Sequence, residues 1–521
     1  MSGSKNSDAG SSVGGARFVL DAVPLTLEAL DGALGRRIGV DVSDNAWRRI
    51  EAGHAAVGRI ADLDQPAYGI STGFGHLCTK RIPPDQIQRL QINLVESHAV
   101  GVGDPVPPEV VRLMMLLKVA SLAHGVSGVA RSTVECLQRM MEADLLPVIP
   151  RQGSLGASGD LAPLAHMVLP MIGQGEVVLD GVPMAAQKAL AQCGIEPVTL
   201  GPKEGLALIN GTQLMSAYAA AIVIRARRLA KQADVIAAMS LDAMMGSVKP
   251  FDSRLHHLRP HAGAIEVAQN VRRLMSQSEI LASHADCDRV QDPYSLRCIP
   301  QVHGASRDAL RHVGQVVDTE INSVTDNPII LDEDEVISGG LFHGQPLALG
   351  LDYLAIALAE FASISERRTY VMLSGVAGLP ELLVKQSGVN SGLMVPHYTA
   401  AALVSENKGL CMPASVDSIP TSLGQEDHVS MGARSAVKCF DVLQNAETVL
   451  AIEQFCAAQA LDYRAPLKPG VGPRVAHEEI RKKISHASED RRFSHDIALS
   501  LSLLRSQHVV HAVEREIGSL A

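Results

Sequence analysis

Residues 153–166, GSLGASGDLAPLAH, place three glycines and two serines within seven positions, directly before an apolar run. Such a stretch could bind phosphate or carry a nucleophile. It has no GxxxxGK[ST] phosphate-binding pattern, however, and Gly159 follows Ser158 directly, whereas a nucleophile elbow requires GxSxG after a strand. A helix entry capped by Ser158 or Asp160 is the alternative interpretation. That interpretation explains Asp160 but not the small residues before it.

Three further segments combine unusual polar density with the residues of turns. They are YGISTGFG at 68–75, QDPYSLRCIPQ at 291–301 and TSLGQEDHVSMG at 421–432. Loops held by a rigid helical scaffold are where binding and catalytic side chains concentrate. Each segment alone could be an ordinary connector, so the elements around them are considered next.

The composition predicts a mainly α protein. Of 521 residues, 46% are hydrophobic but only 3% aromatic, so the core must be built from aliphatic side chains and methionine, which favours close-packed helices. Apolar residues recur at three- and four-residue spacing over 109–125 and 447–464. Residues 351–373 are apolar on most sides and predict a buried helix of a central bundle. The run GEVVLDGVPM at 175–184 predicts a hairpin at the surface.

Charge and cysteine usage limit the function classes. The formal net charge of −10 and the lack of Lys/Arg runs argue against a nucleic-acid partner. Eight cysteines without a CxxC pair predict reduced thiols, with no disulfide framework and no metal site. The apolar run at 214–224 is too short to cross a bilayer, so we expect no membrane association. We therefore expect a cytoplasmic protein.

The domain organisation follows from the same patterns. Residues 1–17 lack the apolar core of a signal peptide and predict a disordered tail. We expect an N-terminal α-rich domain over 18–205, which would carry the loop at 68–75 and the stretch at 153–166. Residues 206–521 would form the central and C-terminal helical bundle.

The tripeptide Ala157-Ser158-Gly159 resembles the self-processing triad of the histidine and phenylalanine ammonia-lyase family, whose members carry a methylidene-imidazolone prosthetic group. Four more motifs agree in family order: YGISTGFG with Tyr68, LINGTQ with Asn210, YSLRC with Tyr294 and Arg297, and FHGQP with Phe342. The resemblance covers roughly residues 18–510. It implies the helical fold of that family and a homotetramer whose active sites are shared between subunits.

The resemblance also implies the chemistry of the triad. The amide nitrogen of Gly159 would attack the carbonyl carbon of Ala157 and close a five-membered ring, which requires a strained, close backbone approach that glycine permits. Loss of two water molecules, one of them carrying the Ser158 hydroxyl, would leave an electrophilic methylidene. The cofactor is therefore self-derived, with no exogenous group implied.

The substrate class is read from two segments. Glu426 in GQEDHVSMG stands where relatives acting on aromatic substrates generally have glutamine. A carboxylate suits an imidazole, whose N–H can donate to it, whereas a phenyl ring would leave the carboxylate desolvated and unpaired. Ser97-His98 and Gln291 also resemble the histidine-specific members. The resemblance therefore implies elimination of ammonia from L-histidine to give trans-urocanate. Glu426 as a helix-start carboxylate and His98 as a core histidine are the structural alternatives.

The resemblance implies a role for each residue. Arg297 would bind the substrate carboxylate, while Glu426, His98 and Gln291 would orient the imidazole. Asn210 and Tyr294 would stabilise developing negative charge, and Phe342 would wall the pocket.

The sequence leaves two assignments open: the base that removes the β-proton and the substrate group that attacks the methylidene. Tyr68 is the first candidate for removing the β-proton, although a free phenol titrates near ~10 and would need a lowered pKa. Glu426 is the second candidate. Either the amine or the imidazole of the substrate could attack the methylidene.

Two residues differ from those of many relatives, and two alternative functions remain. Leu341 places in doubt a polar contact near the pocket, and Pro293 suggests a stiffer loop. A tyrosine or phenylalanine ammonia-lyase or aminomutase would keep every residue that serves the prosthetic group. A non-catalytic helical scaffold would instead be expected to have lost catalytic residues, yet they are present.

Overall fold

The computed structural model describes residues 15–21, 23–62, 66–73, 80–285, 289–331 and 335–521. Within these residues most elements are helices, as the composition predicts, and the mainly α fold is confirmed. The α-helices are α1 Leu27–Ala33, α2 Asp44–Ala61, α3 Ile87–His98, α4 Pro108–Leu122, α5 Arg131–Glu142, α6 Leu161–Val168, α7 Ala186–Gln192, α8 Glu204–Ile209, α9 Gln213–Ala243, α10 Ser253–Leu258, α11 Ala262–Leu274, α12 Glu279–Ser283, α13 Tyr294–Arg297, α14 Ile299–Glu320, α15 Gln345–Leu373, α16 Met394–Leu410, α17 Gly432–Asp462, α18 Val471–Arg481, α19 Phe493–Arg505 and α20 His508–Ile517.

The strands are short and form small separate sheets. They are β1 Ala16–Leu20, β2 Ile38–Val42, β3 Val102–Pro105, β4 Leu146–Pro147, β5 Pro150–Gln152, β6 Glu176–Leu179, β7 Val182–Ala185, β8 Ile329–Leu331 and β9 Glu335–Ile337. Strands β1 and β2 pair in parallel, and β3–β5, β4–β6–β7 and β8–β9 pair antiparallel. The predicted hairpin is confirmed as β6–β7, with Asp180 and Gly181 both at positive φ in its turn.

The chain divides into two compact units that are discontinuous in sequence, whereas the sequence predicted a single boundary between 205 and 206. Unit 1 comprises 1–221, 318–345 and 418–433, and unit 2 comprises 222–317, 346–417 and 434–521. Of the predicted tail, residues 1–14 lie outside the described residues. The predicted tail extended to residue 17, but Ala16 and Arg17 belong to strand β1 and pair with β2.

Unit 1 positions three chain segments by packing three helices together. Helices α3, α6 and α8 contact one another. His98 is the last residue of α3, Asp160 directly precedes α6, and Asn210 directly follows α8. The packing therefore brings three helix ends of separate origin into one region of unit 1.

Unit 2 is a bundle held by buried polar pairs as well as by apolar packing. Arg368 of α15 forms an ion pair with Glu453 of α17, and both side chains are fully buried. Ser240 of α9 donates a hydrogen bond to the same Glu453, and Ser306 of α14 donates to the carbonyl oxygen of Ala357 in α15. A charge buried this deeply is tolerated because it is paired and hydrogen-bonded.

Helix α15 confirms the predicted buried helix over 351–373 and begins earlier, at Gln345. Among the described residues it is also the one helix that is long and apolar enough to cross a membrane by length and composition. Of its most apolar window, 67% is buried inside the protein. Burial among other helices accounts for this composition, since a core helix needs apolar side chains on most of its faces.

Candidate active site

The tripeptide Ala157-Ser158-Gly159 lies in a tight turn directly before α6. Gly156 and Gly159 are bridged across the turn in antiparallel fashion, and both have positive φ. Ser158 also has a positive φ of 49°, which is uncommon and costly for a residue with a side chain. The chain therefore holds strain at the one serine that the sequence singled out.

The close approach of a second backbone segment explains why glycine is required at 159. A Cβ at Gly159 would lie 2.1 Å from the carbonyl oxygen of Gly211. That oxygen accepts a hydrogen bond from the backbone N–H of Asp160 at 2.7 Å, and the N–H of Gly211 donates to the carbonyl oxygen of Ser158 at 3.4 Å. The peptide groups around Gly211 thus hold the turn from both ends.

Asp160 corrects the simple interpretation of this stretch as a capped helix entry. It occupies the position before α6, but its side chain makes no capping hydrogen bond there. Its carboxylate instead accepts from the backbone N–H of Met215 at 3.0 Å, at the start of α9. Burial raises the pKa of Asp160 to about 7, against the opposing effect of these hydrogen bonds. The carboxylate therefore connects the turn to the start of α9 and does not cap α6.

Glu426 lies beside the turn. The hydroxyl of Ser158 donates to Oε1 of Glu426 at 3.4 Å, and the hydroxyl of Thr421 donates to Oε2 at 2.9 Å. The backbone N–H of Thr421 also donates to the carbonyl oxygen of Glu426. Glu426 precedes α17 by several residues, since that helix begins at Gly432, so the alternative of a carboxylate at the helix start does not describe its position.

His98 belongs to the same cluster. Burial lowers the pKa of His98, while the carboxylate of Glu426 acts in the opposite direction. Its Nδ1 lies 3.1 Å from the hydroxyl of Ser97. The imidazole therefore lies within the electrostatic range of Glu426, as a group that can exchange hydrogen bonds with a polar ligand.

Asn210 contributes a buried amide next to the turn. Its side chain is 3% exposed, and no donor among the described residues contacts its Oδ1. A buried acceptor without a partner is costly, which makes this oxygen a contact point for a ligand. Its own carbonyl oxygen is occupied by the ammonium of Lys118.

Tyr68 and Phe342 are half-buried in turns of unit 1. Gly69, with a φ of 75°, places the Tyr68 turn against Leu206 of α8. His343 stacks on His428 with ring centroids 5.8 Å apart, so the Phe342 segment lies beside the Glu426 segment. Residues 74–79, which include Phe74 and Gly75 of the YGISTGFG motif, lie outside the described residues.

Gln291, Tyr294 and Arg297 lie in unit 2, on and before the short helix α13. The guanidinium of Arg297 stacks over the ring of Tyr294 at 4.6 Å. The Nε of Arg297 is buried and has no hydrogen-bond partner among the described residues, whereas Tyr294 is 71% exposed. Pro293 supports this helix directly, because its carbonyl oxygen accepts from the N–H of Arg297.

Lys118 is the residue of this region that sequence reasoning missed. It is 1% exposed in the middle of α4 and donates from Nζ to the carbonyl oxygens of Ala207 and Asn210. The available signal was a single charge inside the apolar run LMMLLKVASL, which predicts a buried cation with a specific partner. Leu341, by contrast, is 52% exposed.

The chain is similar to known proteins over most of its length. The family model "aromatic amino acid lyase" matches residues 25–482. A histidine ammonia-lyase of Gloeobacter violaceus is 50% identical over 506 residues, which is 96% of this chain and 98% of that protein. The structure of histidine ammonia-lyase from Trypanosoma cruzi superposes with a TM-score of 0.88 at 41% identity and covers 96% of each chain.

A tyrosine aminomutase from Streptomyces globisporus is also similar, with a TM-score of 0.90 at 35% identity over 96% of this chain and 99% of that one. The fold is thus shared by proteins that are named for different substrates. The family match over most of the chain, together with relatives at this identity and coverage, shows that the chain belongs to the aromatic amino acid lyase family.

Proposed function

We propose that this carbon–nitrogen lyase eliminates ammonia from L-histidine to give trans-urocanate. The observation that carries the proposal is the carboxylate of Glu426, 3.4 Å from the hydroxyl of Ser158 and close enough to His98 to act on its pKa. An imidazole N–H satisfies such a carboxylate, whereas a phenyl ring would leave it desolvated at a cost of a few kcal/mol. The relatives named histidine ammonia-lyase support the same substrate.

We assign the electrophile to Ala157-Ser158-Gly159. The residues fit a ring of the methylidene-imidazolone type: the turn is strained at Ser158, a Cβ at Gly159 is excluded by Gly211, and Asn210 presents an unpaired buried oxygen. Such a group supplies a carbon that captures an amine covalently and so improves a poor leaving group. No standard side chain offers that reactivity.

The remaining residues bind and orient the substrate. Arg297, whose buried Nε has no hydrogen-bond partner within the described part of the chain, offers a planar fork to the substrate carboxylate. We also assign Gln291 to orienting the imidazole. Tyr294 donates where negative charge develops.

Asn210 and Phe342 complete the assignment. The amide of Asn210 adds a further polar contact where charge develops, and its buried position gives that contact weight. Phe342 closes the pocket with an apolar wall on the segment that His343 and His428 hold by stacking.

Tyr68 is the proposed base for the β-proton, with Glu426 as the second candidate. Gly69 brings the turn that carries Tyr68 against α8, which gives the backbone of a proton acceptor a fixed position beside that helix. Glu426 already accepts a hydrogen bond from the hydroxyl of Thr421, which suits binding better than proton transfer. If Glu426 holds the imidazole, the amine of the substrate would be the group left free to meet the electrophile.

A substrate panel tests the proposal. The purified protein is offered L-histidine, L-tyrosine and L-phenylalanine separately, and the conjugated acids are followed by ultraviolet absorbance, with ammonia measured independently. We expect release of ammonia from L-histidine alone. Preferred turnover of tyrosine, or formation of a β-amino acid, would instead support the aminomutase-like alternative, for which the likeness to the Streptomyces globisporus structure is the specific observation.

We further propose a cytoplasmic homotetramer with active sites shared between subunits. Helix α15 carries an exposed apolar stripe at Leu349, Tyr353 and Ile356, which are 55%, 50% and 45% exposed. Their spacing of four and three places them on one face of the helix, and such a stripe is typical of an interface. Tyr294, 71% exposed in the single chain, is available to a partner in the same way.

Complementation tests the shared site. Ser158→Ala and Arg297→Met each remove one essential group, so each variant alone is expected to be inactive. When the two are co-expressed, mixed tetramers contain sites that combine Ser158 of one chain with Arg297 of another, and we expect activity to return. Light scattering should give four chain masses. No recovery in mixed tetramers, or an active monomer, would contradict the shared arrangement.

A further inference from the structure

The ammonium of Lys118 is placed where it does more than fill the core. It is 1% exposed and donates to the carbonyl oxygens of Ala207 and Asn210 at 3.0 and 2.8 Å. Burial lowers the pKa of Lys118 to about 7, because the charged form loses its hydration. An apolar side chain would avoid this desolvation cost. We therefore expect the ammonium to have a specific role at the end of α8.

That use is visible in the peptide group between Asn210 and Gly211. A trans peptide is planar, so its carbonyl and its N–H point in opposite directions. Lys118 holds the carbonyl of this peptide, and the N–H on the other side donates to the carbonyl oxygen of Ser158 at 3.4 Å. The next carbonyl, that of Gly211, accepts from Asp160 at 2.7 Å. Lys118 therefore fixes the orientation of the Asn210–Gly211 peptide plane, whose N–H donates to Ser158 in the turn.

We propose that Lys118 is a positioning residue that acts through the Asn210–Gly211 peptide on Ser158 and Gly159, both when the ring closes and during turnover. The inference rests on the proposed function, because it assigns Lys118 a role toward the ring of the triad. Among the described residues, Lys118 donates to the carbonyl oxygens of Ala207 and Asn210 and not to the triad.

Ring closure shows why the position of the turn matters. The nitrogen of Gly159 bonds to the carbonyl carbon of Ala157, and that carbonyl oxygen leaves as water with the protons of the Gly159 and Ser158 amides. A second water takes the Ser158 hydroxyl and the Ser158 α-proton. No oxidant or reductant is needed. Both steps require the turn to stay compact, and a misplacement of about 1 Å can cost about 10²-fold in rate.

The carbonyl oxygen of Ser158 is the one that remains after both waters are lost. Gly211 donates to this oxygen, where electron density increases when an amine is captured. A cationic donor on the carbonyl side of the same peptide polarises it and strengthens its N–H as a donor. Lys118 thus affects the chemical step without binding L-histidine.

Lys203 offers a matched control. It is another fully buried lysine of unit 1, paired with Asp326 at 2.7 Å and donating to the carbonyl oxygen of Ser127. Its contacts do not include the Asn210–Gly211 peptide. Replacing it removes a buried ammonium of the same kind and leaves Asp326 unpaired, so it reports the general cost of losing a buried charge.

The test compares Lys118→Met with wild type and Lys203→Met. Intact mass gives the fraction of chains that have lost two waters, and kcat, KM and Tm are measured on the same preparations. For Lys118→Met we expect incomplete loss of water, and a kcat per processed chain about 10²-fold below wild type with KM for L-histidine unchanged. For Lys203→Met we expect a lower Tm, but complete processing and wild-type kcat per processed chain.

Complete processing with wild-type kcat in Lys118→Met would overturn the inference. An equal loss of processing or kcat in Lys203→Met would also overturn it, because the effect would then be general. If Lys118→Met does not fold, Lys118→Gln keeps the neutral N–H donors of an amide but no charge, and complete processing with wild-type kcat in that variant would overturn the role of the ammonium. A wild-type protein that keeps both waters would contradict the proposed function itself, independently of any Lys118 variant.

Discussion

Replacing Ser158 with alanine is expected to reduce turnover of L-histidine below about one-thousandth of wild type, a barrier increase of more than about 4 kcal/mol. Alanine has no hydroxyl to lose, so the methylidene carbon cannot form. The fold should persist, because the hydroxyl makes one long hydrogen bond, 3.4 Å to Glu426, and such a bond contributes about 1 kcal/mol. Ammonia release and Tm measure the two effects.

Ser154 provides the control for this variant. Its hydroxyl accepts from the N–H of Gly156 and contacts Asp160, so it belongs to the same stretch without being the group that leaves. Ser154→Ala should still lose two waters, with a lower Tm. Turnover retained by Ser158→Ala would contradict the mechanism. So would a Ser154→Ala protein that fails to lose the two waters while Ser158→Ala still loses them.

Replacing Glu426 with glutamine is expected to lower kcat/KM for L-histidine by about 10²-fold, since a hydrogen bond to a charged group contributes about 1.5–3 kcal/mol. Glutamine keeps the shape and can still accept from Thr421 and Ser158, so processing of the triad should be complete. A rise in KM would indicate that Glu426 binds the imidazole. A fall in kcat with KM unchanged would instead identify it as the base in place of Tyr68.

Asp427 is the matched control, because it is an exposed carboxylate next to Glu426 in the same segment. Asp427→Asn removes the same charge and should have nearly wild-type kcat/KM. If Glu426→Gln also turns over L-histidine at the wild-type rate, the substrate assignment is wrong and the tyrosine-like alternative is reopened.

The parts of the fold that periodicity governs could be predicted from the sequence. The buried helix α15 and the β6–β7 hairpin lie where apolar spacing and the Asp180-Gly181 turn place them. The small residues of the turn also follow from local rules, because the left-handed backbone at Gly156 and Gly159 favours glycine. Local patterns were sufficient wherever one helix face or one turn decided the structure.

Long-range hydrogen bonds could not be predicted in this way. Lys118 and Asn210 are 92 residues apart, and only the packing of the folded chain shows that the ammonium reaches that carbonyl oxygen. For the same reason Asp160 was expected to cap α6, whereas its carboxylate bonds to Met215. At the N-terminus, polar composition predicted a disordered tail to residue 17, but parallel pairing with β2 extends β1 to Ala16.

The mass of the peptide that contains residues 153–166, taken from wild-type protein that is turning over L-histidine, tests the central claim most directly. The account predicts a peptide lighter than its sequence by two water molecules, with the loss confined to Ala157-Ser158-Gly159 in fragmentation spectra. A peptide of full sequence mass in active protein would contradict the self-derived electrophile, and with it the mechanism built on that group.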